Sequence, residues 1–189
     1  LDIIYAEPEE PDTARDMKAW LAEARQQKLL SSKTLRLLEA RLYAFDTDEQ
    51  VARSVMQAGT VVLAVPFFVL ESRAADSSLN IVPAVTERLR RSEFMLVKQT
   101  KSAEESHPYK ATAMLPPLDS FAQQAKGFGH VYRLPDHDGV TRREVLALRH
   151  GDTYYPSFAL EVARLYLGQT REHMALLLGD GVQVGSTVV

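Results

Sequence analysis

The chain has no cysteine, which excludes structural disulfides and cysteine-based zinc sites. It also has no apolar run long enough to cross a bilayer. The longest, Val61–Leu70, falls well short of the roughly 20 residues a spanning helix needs, and it contains Pro66. Nor is there a signal-peptide pattern at the start. Positive charge is scarce as a cluster: Arg88, Arg90 and Arg91 form the densest run, and Glu87 and Glu93 flank it. With a net charge of −3, the chain lacks the sustained positive face that phosphate binding wants, so nucleic acid is excluded as a partner. Several catalytic motifs are absent too. There is no G-x-S-x-G elbow, no Walker lysine loop and no H-E-x-x-H helix. Gly179-Asp180-Gly181-Val182-Gln183-Val184-Gly185 has the wrong glycine spacing for a dinucleotide loop and reads as a turn.

What remains is the composition of an ordinary globular domain. Its 189 residues suit one unit with a sizeable core, and apolar residues make up 46 % of it. Leu1–Tyr5 reads as a buried strand with nothing leading into it, so the stretch is expected to be a piece of a longer chain. A proline-bound loop, Glu7–Pro11, follows. From Thr13 to Leu30 the pattern is helical. Met17, Trp20, Leu21 and Ala24 share one face, and Trp20 is assigned to the core. A second helical segment runs through Leu35, Leu38, Leu42 and Phe45. The two form either a helical hairpin or one bent helix. Thr47–Gln50 reads as a capping box, starting a helix that Gly59 ends. Thr60–Val65 is then a strand buried on both faces, and the helix–strand order is that of an α/β sheet. Phe94–Lys98 reads as a strand and Ser120–Ala125 as a short helix. Met174–Leu178 and Val182–Val184 read as a terminal hairpin.

The most informative segment is Gly127–Arg143. It reads as a strand, a tight acidic turn and a second strand, with Asp138-Gly139 supplying the positive backbone angles of the turn. Glu144–Arg149 continues as an edge strand. Ser157 is placed to cap the next helix, whose buried stripe is expected to be Phe158, Val162, Leu165 and Tyr166. Asp136, His137 and Asp138 are the sharpest acidic cluster, but their glycine comes too early for an EF-hand. Asp136 is better read as bonding the turn's own amides. A zinc site joining His130 and His137 to a carboxylate is the functional alternative to two ordinary histidines. Arg142 or Arg143 either pairs with Asp136 and Asp138 or binds a carboxylate ligand over the sheet.

These blocks together resemble the type 2 CHASE domain, a bacterial extracytoplasmic sensor domain. The opening Leu1-Asp2-Ile3-Ile4-Tyr5-Ala6-Glu7-Pro8 is similar to that family's first segment, with Asp2 and Glu7 in place. Asp48–Ala64 is similar to its next helix–strand element. The Gly127–Arg143 block, with Asp136, Asp138, Gly139 and Arg142, resembles its signature, continued by Tyr155-Pro156-Ser157-Phe158-Ala159-Leu160-Glu161. The resemblance implies an α/β fold: a mixed central β-sheet flanked by helices, with a β-hairpin in the C-terminal half. It implies one sensor domain over residues 1–189, with further family elements on either side; the helical insertion at 13–45 departs from the family's pattern. It also implies a periplasmic domain of a membrane-bound receptor that regulates an adenylate or guanylate cyclase or a serine/threonine or histidine kinase. The domain itself is then no enzyme and holds no cofactor. Its partner is a small molecule or a periplasmic protein, and it acts as a homodimer anchored in the membrane through its parent. The competing readings are a metal-dependent hydrolase using Asp136, His137 and Asp138, and a scaffold without a ligand.

Overall fold

The computed structural model describes residues 12–43, 46–69, 83–100 and 108–189. Asp2, Glu7 and the expected first strand lie outside the described residues. The protein opens with two helices, α1 (Asp12–Gln26) and α2 (Ser32–Tyr43). They form a helical hairpin: Arg25, near the end of α1, pairs with Glu39, while Lys18, two turns earlier, pairs with Asp46, further along the chain, so the helices run antiparallel. The reversal needs a left-handed residue, supplied by Lys28 (φ 54°), with Leu29 N–H donating to the Ala24 carbonyl. Leu21, Leu35 and Leu42 form the seam. Trp20, expected in the core, is 51 % exposed, and Met17 is equally open. A two-helix hairpin buries only one narrow stripe of each helix, and here that stripe centres on Leu21 and Ala24.

Helix α3 (Thr47–Ala58) is capped one residue earlier than the sequence suggested. Asp46 is the N-cap and accepts from Glu49 N–H at 2.9 Å, while Lys18 holds its other oxygen. Gly59 ends the helix in the left-handed region. Strand β1 (Val62–Val65) follows, then β2 (Phe67–Phe68), α4 (Pro83–Arg90) and β3 (Leu96–Gln99). Next come β4 (Lys110–Ala111), β5 (Ala113–Met114), α5 (Asp119–Gln124) and β6 (Gly127–His130). The chain closes with β7 (Ala147–His150), β8 (Thr153–Pro156), α6 (Phe158–Tyr166), a 3₁₀ turn at Arg171–His173, β9 (Met174–Leu178), β10 (Gly181–Val184) and β11 (Thr187–Val188).

The class is α/β. The described strands are distributed over small sheets: β1–β6, β2–β5, β4–β7–β8 and β11–β10–β9–β3. The last two mix parallel and antiparallel pairs. The first core gathers Leu63, Val65, Phe67, Leu89, Met114, Phe121, Phe128 and Leu148. The second gathers Phe94, Ala147, Leu160, Met174, Leu176, Val182 and Val184.

Strand β6 departs from the expected hairpin. It pairs in parallel with β1, from Val62↔Gly127 to Val65↔His130, and all its residues are buried. Alternation is the wrong template for a strand covered on both faces. Phe128 points into the first core, while Gly127 and Gly129 face α6. A Cβ on Gly129 would collide with the Phe158 backbone, and one on Gly127 with the Glu161 carboxylate. Strand β7, expected at an edge, is the centre of its sheet, and Leu148 is fully buried.

Because the helix lies on bare backbone, its buried face is not the expected one. Leu160, Glu161 and Arg164 are buried, whereas Val162 is exposed and Tyr166 is 89 % exposed. The Glu161 side chain fills the volume above Gly127. Arg164 grips both its oxygens, at 2.9 and 3.0 Å, and Arg171 closes on Oε1. Arg171 also donates to the Ser92 carbonyl, and the Ser92 hydroxyl accepts from Phe128 N–H at 2.7 Å. Burial pulls the Arg171 guanidinium down to about 10, against the pull of Glu161, so it stays charged at neutral pH. This network ties α6, the turn before β9, and β6 together.

Two expectations follow. Glu161→Gln leaves the buried Arg164 and the part-buried Arg171 without their anionic partner and is expected to cost roughly 3 kcal/mol in a denaturant melt. Gly129→Ala is expected to cost about 2–3 kcal/mol by overpacking, and Gly139→Ala, in open space at φ 79°, only about 1 kcal/mol. Equal costs for the two glycines would contradict the close approach of α6.

Candidate functional site

Between β6 and β7 the chain runs out as an arm, residues 131–146. It is not a full hairpin: its strands meet at one isolated bridge, Arg133↔Glu144. Its tip is a turn in which Gly139 N–H donates to the Asp136 carbonyl and Asp136 N–H to that of Val140. The Asp138 carboxylate accepts from Val140 N–H at 3.1 Å. Gly139 is the tip's left-handed residue; Asp138 is not left-handed. The expected pair of positive angles is therefore halved, because the Asp138 side chain stabilises the turn locally.

Arg142 reaches back across this tip. It donates to Asp138 through both ends of its fork, at 2.8 and 3.0 Å, and to Asp136 at 2.9 Å. The Arg142 hydrogen bond, helped by the Val140 amide, holds the Asp138 carboxyl below its usual range. Asp138, then Asp136, raises the Arg142 guanidinium in turn. Both carboxylates are thereby spoken for by one cation. His137 is exposed at the same tip, whereas His130 is fully buried on β6, so the structure does not bring the two histidines together. Among the described residues no three histidine or acidic side chains group as metal ligands.

The arm forms one wall of a cleft of about 420 Å³, a size that suits a small ligand. Leu134, Pro135, Arg143, Glu144 and Val145 come from the arm, and Leu177–Val182 from the tip of the β9–β10 hairpin. Leu146, Leu176 and Val182 form a floor that opens onto the second core. Arg143 and Glu144 make no ion pair with a described residue. Asp136 stands at the rim, already held by Arg142. Pro156 and Ser157 do not line this cleft, although Pro156 pairs with Ala147 and Ser157 N–H donates to the Leu146 carbonyl just behind it. Pro156 ends β8, and Ser157 caps α6, accepting from Leu160 N–H at 3.2 Å.

His130 is the odd group in the first core. Both its ring nitrogens are buried without a hydrogen-bond partner among the described residues. Val65, Phe67, Leu89, Phe128 and Tyr155 enclose a space beside it too small for a water molecule. Phe67 meets its ring edge-on, and meets His150 in the same way. Burial pushes the His130 imidazole from 6.5 down to about 3. The unfolded chain thus takes up a proton near pH 6.5 that the folded chain refuses until about pH 3. This part of the stability is whole above about pH 6.5 and falls as the pH drops, by up to about 1.4 kcal/mol per unit. Thermal melts from about pH 7 to 4.5 are expected to show that fall, with a shallower slope for His130→Leu. Equal slopes would contradict the burial of an uncharged, unpartnered ring.

Arg142 and Arg143, adjacent in the sequence, part ways: Arg142 is tied to the acidic turn, and Arg143 pairs with no described residue. Glu161, Arg164 and Arg171 are not among the sites that the sequence singles out. A signal was present: Glu161 and Arg164 lie one turn apart, on the same side as Leu160. The apolar side of the cleft left no signal, because its residues come from segments distant in the chain.

Comparison with curated proteins and with solved structures finds no match. The family model of the CHASE2 domain matches residues 1–188. The chain accordingly belongs to the CHASE2 family, a family of extracellular sensor domains.

Proposed function

We propose that this CHASE2 domain is the periplasmic input of a membrane-bound receptor, and that the cleft beside the arm receives its signal molecule. The receptor would act through a cytoplasmic adenylate or guanylate cyclase or a serine/threonine or histidine kinase. The domain itself carries out no chemistry. In support, Arg142 neutralises the one acidic pair that a hydrolytic reading would use. The observation that carries the proposal is the make-up of the cleft. Its two walls belong to separately anchored pieces, the arm and the β9–β10 hairpin. A molecule that touches both favours one spacing of the walls over another, and differential affinity of that kind is what shifts a two-state equilibrium. A homodimer through α1 and α2 is part of this reading, supported by the half-exposed Met17 and Trp20.

The test is to fill the cleft. In the parent receptor, Leu178→Trp is expected to make cyclase or kinase output independent of the external signal. An unaltered response from a variant with a native melt would contradict the assignment of the cleft as the input.

A further inference from the structure

We infer that the cleft recognises a short free peptide, a zwitterion with apolar side chains; this rests on reading the cleft as the sensor's input. Three features of one site lead there. The first is charge. Arg143 and Glu144 lie side by side in the lining, one of each sign, and neither pairs with a described residue. Of the other acids, Asp136 and Asp138 of the arm are neutralised by Arg142, and Asp180, also in the lining, is engaged elsewhere. A free peptide carries a carboxylate and an ammonium, the complement of that pair, and a guanidinium holds a carboxylate through two parallel bonds. A purely anionic ligand would leave Glu144 repelled, and a purely cationic one would leave Arg143 so.

The second feature is the main chain. Residues 143–146 line the cleft. Apart from the bridge to Arg133 and the bond from Ser157 N–H to the Leu146 carbonyl, they make no main-chain hydrogen bond with a described residue. An extended peptide can pair with such an edge, which gives affinity without dictating its sequence. The third is the floor. Leu146, Leu177 and Leu178, each partly exposed, offer apolar surface for a ligand's side chains. A cleft of about 420 Å³ suits a ligand of roughly three residues, on the order of 10 Å when extended.

Calorimetric titration of the purified chain tests this with four probes: trileucine, its C-terminal amide, the same peptide capped at both ends, and free leucine. Trileucine is expected to bind, and the doubly capped form about tenfold or more weakly. Arg143→Gln is expected to weaken trileucine by about tenfold and to leave the C-terminal amide unchanged, because only the former offers Arg143 a carboxylate. Glu144→Gln is expected to weaken both. Each variant is checked for a native melt. Absence of binding by any peptide at millimolar concentration would overturn the inference, as would equal affinity for capped and free forms. If the peptides fail while Leu178→Trp still fixes the parent receptor's output, the ligand class falls and the sensor reading stands.

Discussion

The architecture turns on one carboxylate. Glu161 sits where α6 lies directly on the glycines of β6, out of reach of water, between Arg164 and Arg171. An ionised carboxylate is tolerated there only because both its oxygens are bonded to cations. The arrangement also decides which face of α6 points inward. The helix buries Glu161 and Arg164 beside Leu160 and turns Val162 and Tyr166 outward, unlike an ordinary amphipathic helix. Glycine at 127 and 129 makes the approach possible, and Glu161 makes it specific.

The consequence is mechanical coupling between two cores. Arg171 belongs to the turn that begins β9, and its second bond runs to Ser92, which in turn receives Phe128 N–H of β6. A displacement of the β9–β10 hairpin therefore strains the parallel strand pair as well. The cleft proposed as input borders that hairpin, so a ligand there would be felt beyond its own walls. Rigid elements with buried polar joints have discrete arrangements, and that property suits a sensor.

Much of this was legible in the sequence where signals are local. The stop at Gly59, the strand after it, the short helix near Ser120 and the terminal turn at Gly179–Gly181 follow from glycine and β-branched patterning. The long-range pairings were not legible. Gly127–His130 looked like half of a hairpin because a turn follows closely, yet its partner is Val62–Val65, far back in the chain. Trp20 looked like core because it is large and apolar, although the seam between α1 and α2 is too narrow to take it. The α6 stripe was misread for a related reason: a hydrophobic pattern cannot reveal that glycines opposite leave room for a paired carboxylate. The tie between Arg142 and the acidic turn was among the alternatives the sequence offered, since all three side chains lie within a few residues of one another.

The most direct test of this account is native-state hydrogen exchange across β6, α6 and β9. If Glu161 joins the two cores, the slowest amides of all three elements open with one free energy and one denaturant dependence. Release of the β9–β10 sheet at a clearly lower free energy, with β6 and α6 still protected, would show that the joint does not couple them.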